Sequence, residues 1–123
     1  VATAAAVATI QAMHDEKMVE NAHLRGAQLM AGLGHLQEMY PAIGDVRGLG
    51  LMVGTEFSSE DRKPDKTTAK AVVHACYDRK LLLLTCGPWD NTIRWIPPLI
   101  VNEKQINQAL EILEDSLRDV IAK

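Results

Sequence analysis

Apolar side chains recur every three or four residues over three stretches of the chain, as they do on one face of an amphipathic helix. The first stretch runs from about 18 to 39, the second from about 67 to 79, and the third follows Asn102, a residue type that caps helices. An alanine-rich segment at 1–13 also favours helix, and the polar residues 14–17 separate it from the next helix. The residues expected to face the core are Ala22, Gly26, Leu29, Leu33, Leu36 and Tyr40, then Ala69, Val72, Val73 and Cys76, then Ile106, Ala109, Leu110, Leu113, Leu117 and Val120.

Between the helical stretches the apolar runs are short and strand-like. From 43 to 57 the sequence is rich in Val, Leu and Met and is broken by glycines, which allow bends or bulges. A mixed-charge loop follows at 58–66, and we predict further strands at 81–85 and 92–97, joined by a turn at 86–91. The residues expected on one face of the first strand region are Leu49, Leu51, Val53, Thr55 and Phe57.

This order of elements predicts an α+β fold with a small, mainly antiparallel sheet covered on one face by helices. We expect a helical lead-in at 1–40 and an α+β sheet domain at 41–123. Val1 opens directly into a helical pattern, with neither an initiator Met nor an N-cap residue before it. That start favours a piece of a longer polypeptide.

Composition argues against several classes of partner. The 123 residues are 47% hydrophobic and 24% charged, with a net charge of −3. Nucleic acids and anionic membranes select basic surfaces, so neither is expected as a partner. The apolar runs are also shorter than the roughly 20 residues that span a bilayer. Cys76 and Cys86 lack metal-ligand spacing, so we expect reduced thiols in a cytoplasmic protein.

Arg94 is the candidate binding residue. It lies between Ile93 and Trp95 in an apolar strand. Burying a guanidinium is costly unless it meets an anion, so the pattern predicts a carboxylate partner in the protein or on a ligand. Glu56 or Asp90 are internal candidates, and an arginine pointing out of an edge strand is a further alternative. A ligand carboxylate would match the two parallel N–H donors of a guanidinium.

The remaining residues predict no catalytic group and no metal site. The four histidines form no pair at metal-ligand spacing, so they are expected to be solvated or structural. Cys76 is expected in the core, and Cys86 has no histidine beside it in sequence to activate it. No lysine is expected to be desolvated as a Schiff-base lysine must be. The residues concerned are His14, His23, His35 and His74, and Lys17, Lys63, Lys66, Lys70, Lys80, Lys104 and Lys123.

Four segments in register resemble the C-terminal small domain of class III pyridoxal-phosphate-dependent aminotransferases, the ornithine and 4-aminobutyrate group. The opening VATAAAVATI resembles the helix after that family's Gly-Asn-Pro motif, and MVENAHLRGAQLMAGL resembles the next helix. YPAIGDVRGLGLMVGTEF resembles the hairpin that enters the small domain. KLLLLTCGPWDNTIRWIPPLIV resembles the segment that brings a substrate-binding arginine to the active site.

The resemblance implies a fold-type-I enzyme, usually a homodimer, that moves an amino group from a 4-aminobutyrate-like ω-amino acid to a 2-oxo acid. Arg94 matches the family position that holds a substrate carboxylate, whereas Arg47 in the matching hairpin is expected to be structural. The Schiff-base lysine, the aspartate facing the pyridine nitrogen and the phosphate loop belong to the large domain, which is absent here. The resemblance therefore implies that pyridoxal 5'-phosphate binds the intact enzyme and that this chain alone is inactive.

Two alternatives stay open at the level of sequence. The first is a different reaction on the same scaffold, since the class III family also includes amino-acid racemases and dialkylglycine decarboxylases. A free-standing, non-enzymatic carboxylate-binding or assembly module with the small-domain fold is the second alternative.

Overall fold

The computed structural model describes residues 1–121, and within them four helices and four strands follow the predicted order. The predicted α+β class is confirmed. The elements are α1 (Ala2–Asp15), α2 (Met18–Met39), β1 (Ile43–Leu49), β2 (Met52–Phe57), α3 (Lys66–Asp78), β3 (Leu84–Cys86), β4 (Thr92–Trp95) and α4 (Glu103–Ile121).

The strands form one antiparallel sheet in the order β1-β2-β4-β3. β1 and β2 are a hairpin, and α3 carries the chain across to β3 at the opposite edge. The turn after β3 then returns the chain into the gap between β3 and β2. β4, which holds Arg94, is therefore an interior strand with a neighbour on each side.

The helices cover one face of this sheet, as predicted. α2 and α3 contact the strands, and α4 packs against both helices. The three predicted helical stripes face this core. Most of their residues are buried, and the partly buried ones are Ala22, Tyr40, Val73, Ala109, Leu110 and Val120. The large residues with no exposed surface include Leu29, Leu33, Val72, Phe57, Ile93, Leu113 and Leu117.

The predicted cap of the last helix is also present. The side-chain oxygen of Asn102 accepts a hydrogen bond of 3.0 Å from the backbone N–H of Gln105. The Gln105 side chain in turn accepts one of 3.0 Å from the backbone N–H of Asn102. These reciprocal bonds satisfy two backbone donors that a helix start leaves free, which fixes where α4 begins.

Leu49 is the clearest departure from the predicted pattern. Its side chain is 87% exposed, whereas Leu51, Val53, Thr55 and Phe57 are buried as expected. The region 43–57 is two strands, and the chain reverses between Leu49 and Met52. Because the reversal interrupts the alternation along one strand, Leu49 lies on the sheet face away from the helices.

The strands around the second hairpin are shorter than predicted. The prediction of strand over 81–85 is wrong at its start, since pairing begins at Leu84 and extends to Cys86. The predicted strand over 92–97 is wrong at its end, because β4 ends at Trp95. Pro97 and Pro98 lack the backbone N–H that a ladder needs, so the strand cannot continue through them.

α1 differs from the other helices in having no buried residue. It contacts only α2, and Lys17, in a left-handed conformation, separates the two helices. α2 by contrast contributes Leu29 and Leu33 to the core. The division into a lead-in at 1–40 and a domain at 41–123 stays a prediction, and residues 122 and 123 lie outside the described residues.

The hairpin turn is held close to α2 by two glycines. Gly50 has a φ of +56°, which favours glycine, and its backbone lies against Gly26 of α2. A Cβ on Gly26 would overlap the carbonyl group of Gly50, and a backbone atom cannot rotate away. The absence of a side chain at 26 therefore sets the distance between α2 and the hairpin.

We expect Gly26→Ala to lower the free energy of unfolding by about 1–3 kcal/mol, the usual cost of overpacking. Gly34→Ala is the matched control, since a Cβ there meets nothing within 4 Å. In the same helix it should raise stability by roughly 0.5–1 kcal/mol through helix propensity. Urea unfolding of both variants measures the difference. Equal stability of the two variants would show that the close approach is not needed.

Candidate functional site

Arg94 lies on the uncovered face of the sheet. Its neighbours Ile93 and Trp95 are 0% and 4% exposed on the helix side, and alternation along the strand directs Arg94 to the opposite side. The expectation of a buried guanidinium is wrong, because the apolar neighbours that suggested it belong to the other face. The edge-strand alternative is also wrong, since β4 is interior.

Neither proposed internal partner pairs with Arg94. Glu56 instead contacts the guanidinium of Arg47 at 2.7 Å, and Asp90 contacts Lys70 at 2.9 Å and Lys66 at 3.2 Å. Among residues 1–121, no carboxylate lies within 4.0 Å of the Arg94 guanidinium.

A row of four residues crosses the uncovered face at the level of Arg94. Arg47 of β1 lies opposite Gly54 of β2, Gly54 opposite Arg94, and Arg94 opposite Leu84 of β3. Opposed residues in antiparallel strands point to the same face, so two arginines flank a strand position without a side chain. The backbone of Gly54 is thus accessible between them.

The surroundings of Arg94 are largely apolar. Leu84, opposite Arg94 on β3, is 62% exposed, and Ile96, two residues further along the chain, is 55% exposed. A groove of about 680 Å³ runs from Arg94 past the 81–84 segment to the start of α4. Arg94 is the one charged side chain among the described residues that line it. The groove therefore combines mostly apolar walls with a single cation and the uncharged polar residues Asn102 and Gln105.

The turn before β4 is fixed by polar contacts. Asn91 donates a hydrogen bond of 2.8 Å from its side chain to the carbonyl oxygen of Phe57 in the core. The hydroxyl of Thr85 donates to Asp90, which also binds Lys70 and Lys66 of α3. These bonds attach the turn to β2 and α3, and they set the position at which β4 enters the sheet.

A second charged group, which sequence reasoning missed, lies beside the row. The guanidinium of Arg47 contacts Asp45 at 2.6 Å and Glu56 at 2.7 Å, and Asp45 and Glu56 lie opposite each other on β1 and β2. The hydrogen bonds that Arg47 donates, to Asp45 first and to Glu56 second, raise the pKa of its guanidinium. The two-residue spacing of Asp45 and Arg47 predicts that they share a face of the strand. The contact with Glu56 depends on the register between β1 and β2, which the sequence does not show.

The other candidate residues do not gather into a site. All four histidines are exposed, Cys76 is buried as predicted, and Cys86 is half-buried. Burial raises the pKa of the Cys76 thiol. Residues 1–121 contain no cluster of three or more potential metal ligands. Their helices include none with the length and apolarity needed to cross a bilayer.

Comparison with known proteins assigns the family. The aminotransferase class III family matches residues 1–117. The chain belongs to the class III aminotransferases. Its relatives include 5-aminovalerate aminotransferase of Pseudomonas putida, 35% identical over 121 residues. They also include 4-aminobutyrate aminotransferase of Escherichia coli, 36% identical over 115 residues, and alanine/serine racemase of Pyrococcus horikoshii, 35% identical over 121 residues.

The aminotransferase chain corresponds to a minor part of each relative. The matches cover 98%, 92% and 98% of this chain but 28%, 27% and 26% of the Pseudomonas, Escherichia and Pyrococcus proteins. The fold agrees with an amine transaminase from an uncultivated Pseudomonas species, solved in its PLP-bound internal aldimine form. The TM-score is 0.85 with 28% identity, over 95% of this chain and 27% of that one.

Class III aminotransferases use pyridoxal phosphate, and the described residues do not fit that cofactor. A Schiff-base lysine must be desolvated to be nucleophilic at neutral pH. Every lysine of residues 1–121 is exposed, and Lys123 lies outside the described residues. Lys66 and Lys70 are in addition paired with Asp90. No step of the reaction is therefore assigned to a lysine of this chain.

The contacts of Asp90 predict a pH dependence of stability. The bond from Thr85 first, then those from Lys70 and Lys66, hold the pKa of Asp90 well below its usual range. A lowered pKa stabilises the fold above the ordinary Asp value, and the contribution is lost as pH falls through the folded-state value. Asp90 should thus keep stabilising the fold in mild acid and stop only in strong acid.

We expect Asp90→Asn to have a lower urea midpoint than the wild type at neutral pH. The difference between the two urea midpoints should disappear only in strongly acidic solution. Asp61→Asn is the control, because Asp61 is an exposed loop carboxylate with one partner, Lys63, at 3.4 Å. Denaturation midpoints measured across the acid range test this, and parallel curves for Asp90→Asn and wild type would contradict it.

Proposed function

We propose that the chain is the C-terminal part of a pyridoxal-phosphate-dependent aminotransferase whose substrate carboxylate is held by Arg94. The proposed reaction moves an amino group from a 4-aminobutyrate-like ω-amino acid to a 2-oxo acid. The observation that carries the proposal is the position of Arg94. It is exposed on an interior strand, lines a mostly apolar groove and has no carboxylate partner among residues 1–121.

The chemistry of this position suits a carboxylate clamp. A guanidinium presents two parallel donors to the two oxygens of a carboxylate, which fixes the orientation of the substrate as well as its position. The apolar walls contributed by Leu84 and Ile96 offer few competing hydrogen bonds. A methylene chain between the amino and carboxylate groups of an ω-amino acid would contact those walls while Arg94 holds one end.

The relatives support the choice of substrate class. Two of them are named for 5-aminovalerate and 4-aminobutyrate, which are linear ω-amino acids. The chain spans little more than a quarter of their length. We therefore assign the cofactor and its lysine to a large domain outside this chain, and we propose that residues 1–123 alone are inactive. A homodimer and a cytoplasmic setting belong to the same proposal.

In the intact enzyme, Arg94→Ala should lower kcat/KM for 4-aminobutyrate by about 10- to 100-fold, because hydrogen bonds to a charged group contribute about 1.5–3 kcal/mol. Butylamine has a methyl group in place of the carboxylate, and its kcat/KM should change little. Arg62→Ala, in the exposed 58–66 loop, is the control for loss of a positive charge. Equal losses for both amines in Arg94→Ala would assign Arg94 a structural role instead.

Racemisation is the second candidate reaction, because a relative 35% identical is an alanine/serine racemase. A racemase needs no amino acceptor, whereas a transaminase turns over only when a 2-oxo acid is supplied. Incubation of the intact enzyme with single enantiomers of alanine and serine, without 2-oxo acid, separates the two. Inversion of configuration under those conditions would replace the aminotransferase proposal with the racemase.

A further inference from the structure

Glu56 is placed where it could pair with either of two arginines. It lies on β2, two residues from Gly54, which is opposite both Arg47 and Arg94. Both arginines are therefore diagonal neighbours of Glu56 on the same face, one on each side. Diagonal positions in a sheet are about 7–8 Å apart, within reach of long side chains. Glu56 nevertheless contacts Arg47 alone, at 2.7 Å.

Asp45 explains why Arg47 is the preferred partner. Asp45 lies opposite Glu56, and two facing carboxylates repel each other. The Arg47 guanidinium contacts both, at 2.6 Å and 2.7 Å, and so lowers the repulsion between the two carboxylates. Arg94 has no such second carboxylate beside it, because the residue opposite Glu56 on β4 is Thr92.

We propose that Arg47 is a positioning residue that holds Glu56 away from Arg94 and so keeps the Arg94 guanidinium unpaired for a carboxylate ligand. The ligand part of this inference rests on the function proposed above for Arg94. Without Arg47, the repulsion from Asp45 pushes Glu56 toward the other cation within its reach. Gly54 adds no side chain of its own to that path, and the neighbouring group there is the small methyl group of Thr92, 3.2 Å from where a Cβ on Gly54 would lie.

The pairing can be read directly in the full 123-residue chain labelled with ¹⁵N-arginine. The Nε–Hε resonance of Arg94 is assigned by its loss in Arg94→Ala. We expect this resonance to shift in Arg47→Gln, as Glu56 becomes its acceptor, and to return to the wild-type position in the double variant Arg47→Gln, Glu56→Gln. An unchanged resonance in Arg47→Gln, or a shift that persists in the double variant, would overturn the proposal.

Binding of 4-aminobutyrate by the intact enzyme tests the consequence. Arg47→Gln should raise the Kd about two- to five-fold, the range that one exposed ion pair supplies. The double variant should restore the wild-type Kd, and Arg47→Lys, which keeps a cation beside Glu56, should stay close to it. A purely structural role for Arg47 predicts no rescue by Glu56→Gln, and that result would overturn the inference.

The two proposals fail in different ways. If Arg94→Ala binds 4-aminobutyrate as tightly as the wild type, Arg94 is not the carboxylate clamp. The Arg94 Nε–Hε resonance measured without ligand still decides whether Arg47 keeps Glu56 away from Arg94. If Arg94→Ala loses binding but Arg47→Gln does not, the clamp stands and the role of Arg47 is wrong.

If Arg47→Gln does not fold, the variant Arg47→His tests the same proposal. Its imidazole gains and loses charge between about pH 5 and 8, so a single folded sample switches between holding and releasing Glu56. We expect the Arg94 resonance to follow that titration, and to stop following it when Glu56→Gln is added. An Arg94 resonance that ignores the imidazole titration would overturn the proposal.

Discussion

The one-sided burial of the sheet is the constraint on which the other features depend. α2 and α3 cover the face that carries Val53, Thr55, Ile93 and Trp95, and the buried indole N–H of Trp95 donates to the hydroxyl of Thr55 at 3.0 Å. Because side chains alternate along a strand, burial of Ile93 and Trp95 directs Arg94 to the other face. Burial of its neighbours thus determines the face of the sheet on which Arg94 lies.

The strand order determines which charged residues meet on the uncovered face. β4 enters between β2 and β3, so Arg94 is placed at the centre of the sheet instead of at its rim. The same order places Gly54 between two arginines and brings Glu56 within reach of both. The charged residues divide into an ion-paired group around Arg47 and an Arg94 without a carboxylate partner among residues 1–121, and the proposed binding of an anionic ligand depends on this division.

The sequence predicted the helices well because their signal is local. The stripe of α2 and the cap at Asn102 are each contained in one segment, and both are present in the structure. Strand pairing is not local, so the exposure of Leu49 and the Arg47–Glu56 contact depended on a register that one segment does not encode. The sequence singles out Arg94, but the inference that its apolar neighbours bury its guanidinium is wrong. Neighbours in sequence on a strand lie on opposite faces of the sheet.

A crystal structure of the intact enzyme with a bound ω-amino acid substrate would show directly whether Arg94 is the clamp. We expect both carboxylate oxygens within about 2.7–2.9 Å of the Arg94 guanidinium nitrogens. We also expect Glu56 to remain paired with Arg47 and the methylene chain to lie against Leu84 and Ile96. A substrate carboxylate held by other residues, with Arg94 paired to a carboxylate of the protein, would contradict the role of Arg94.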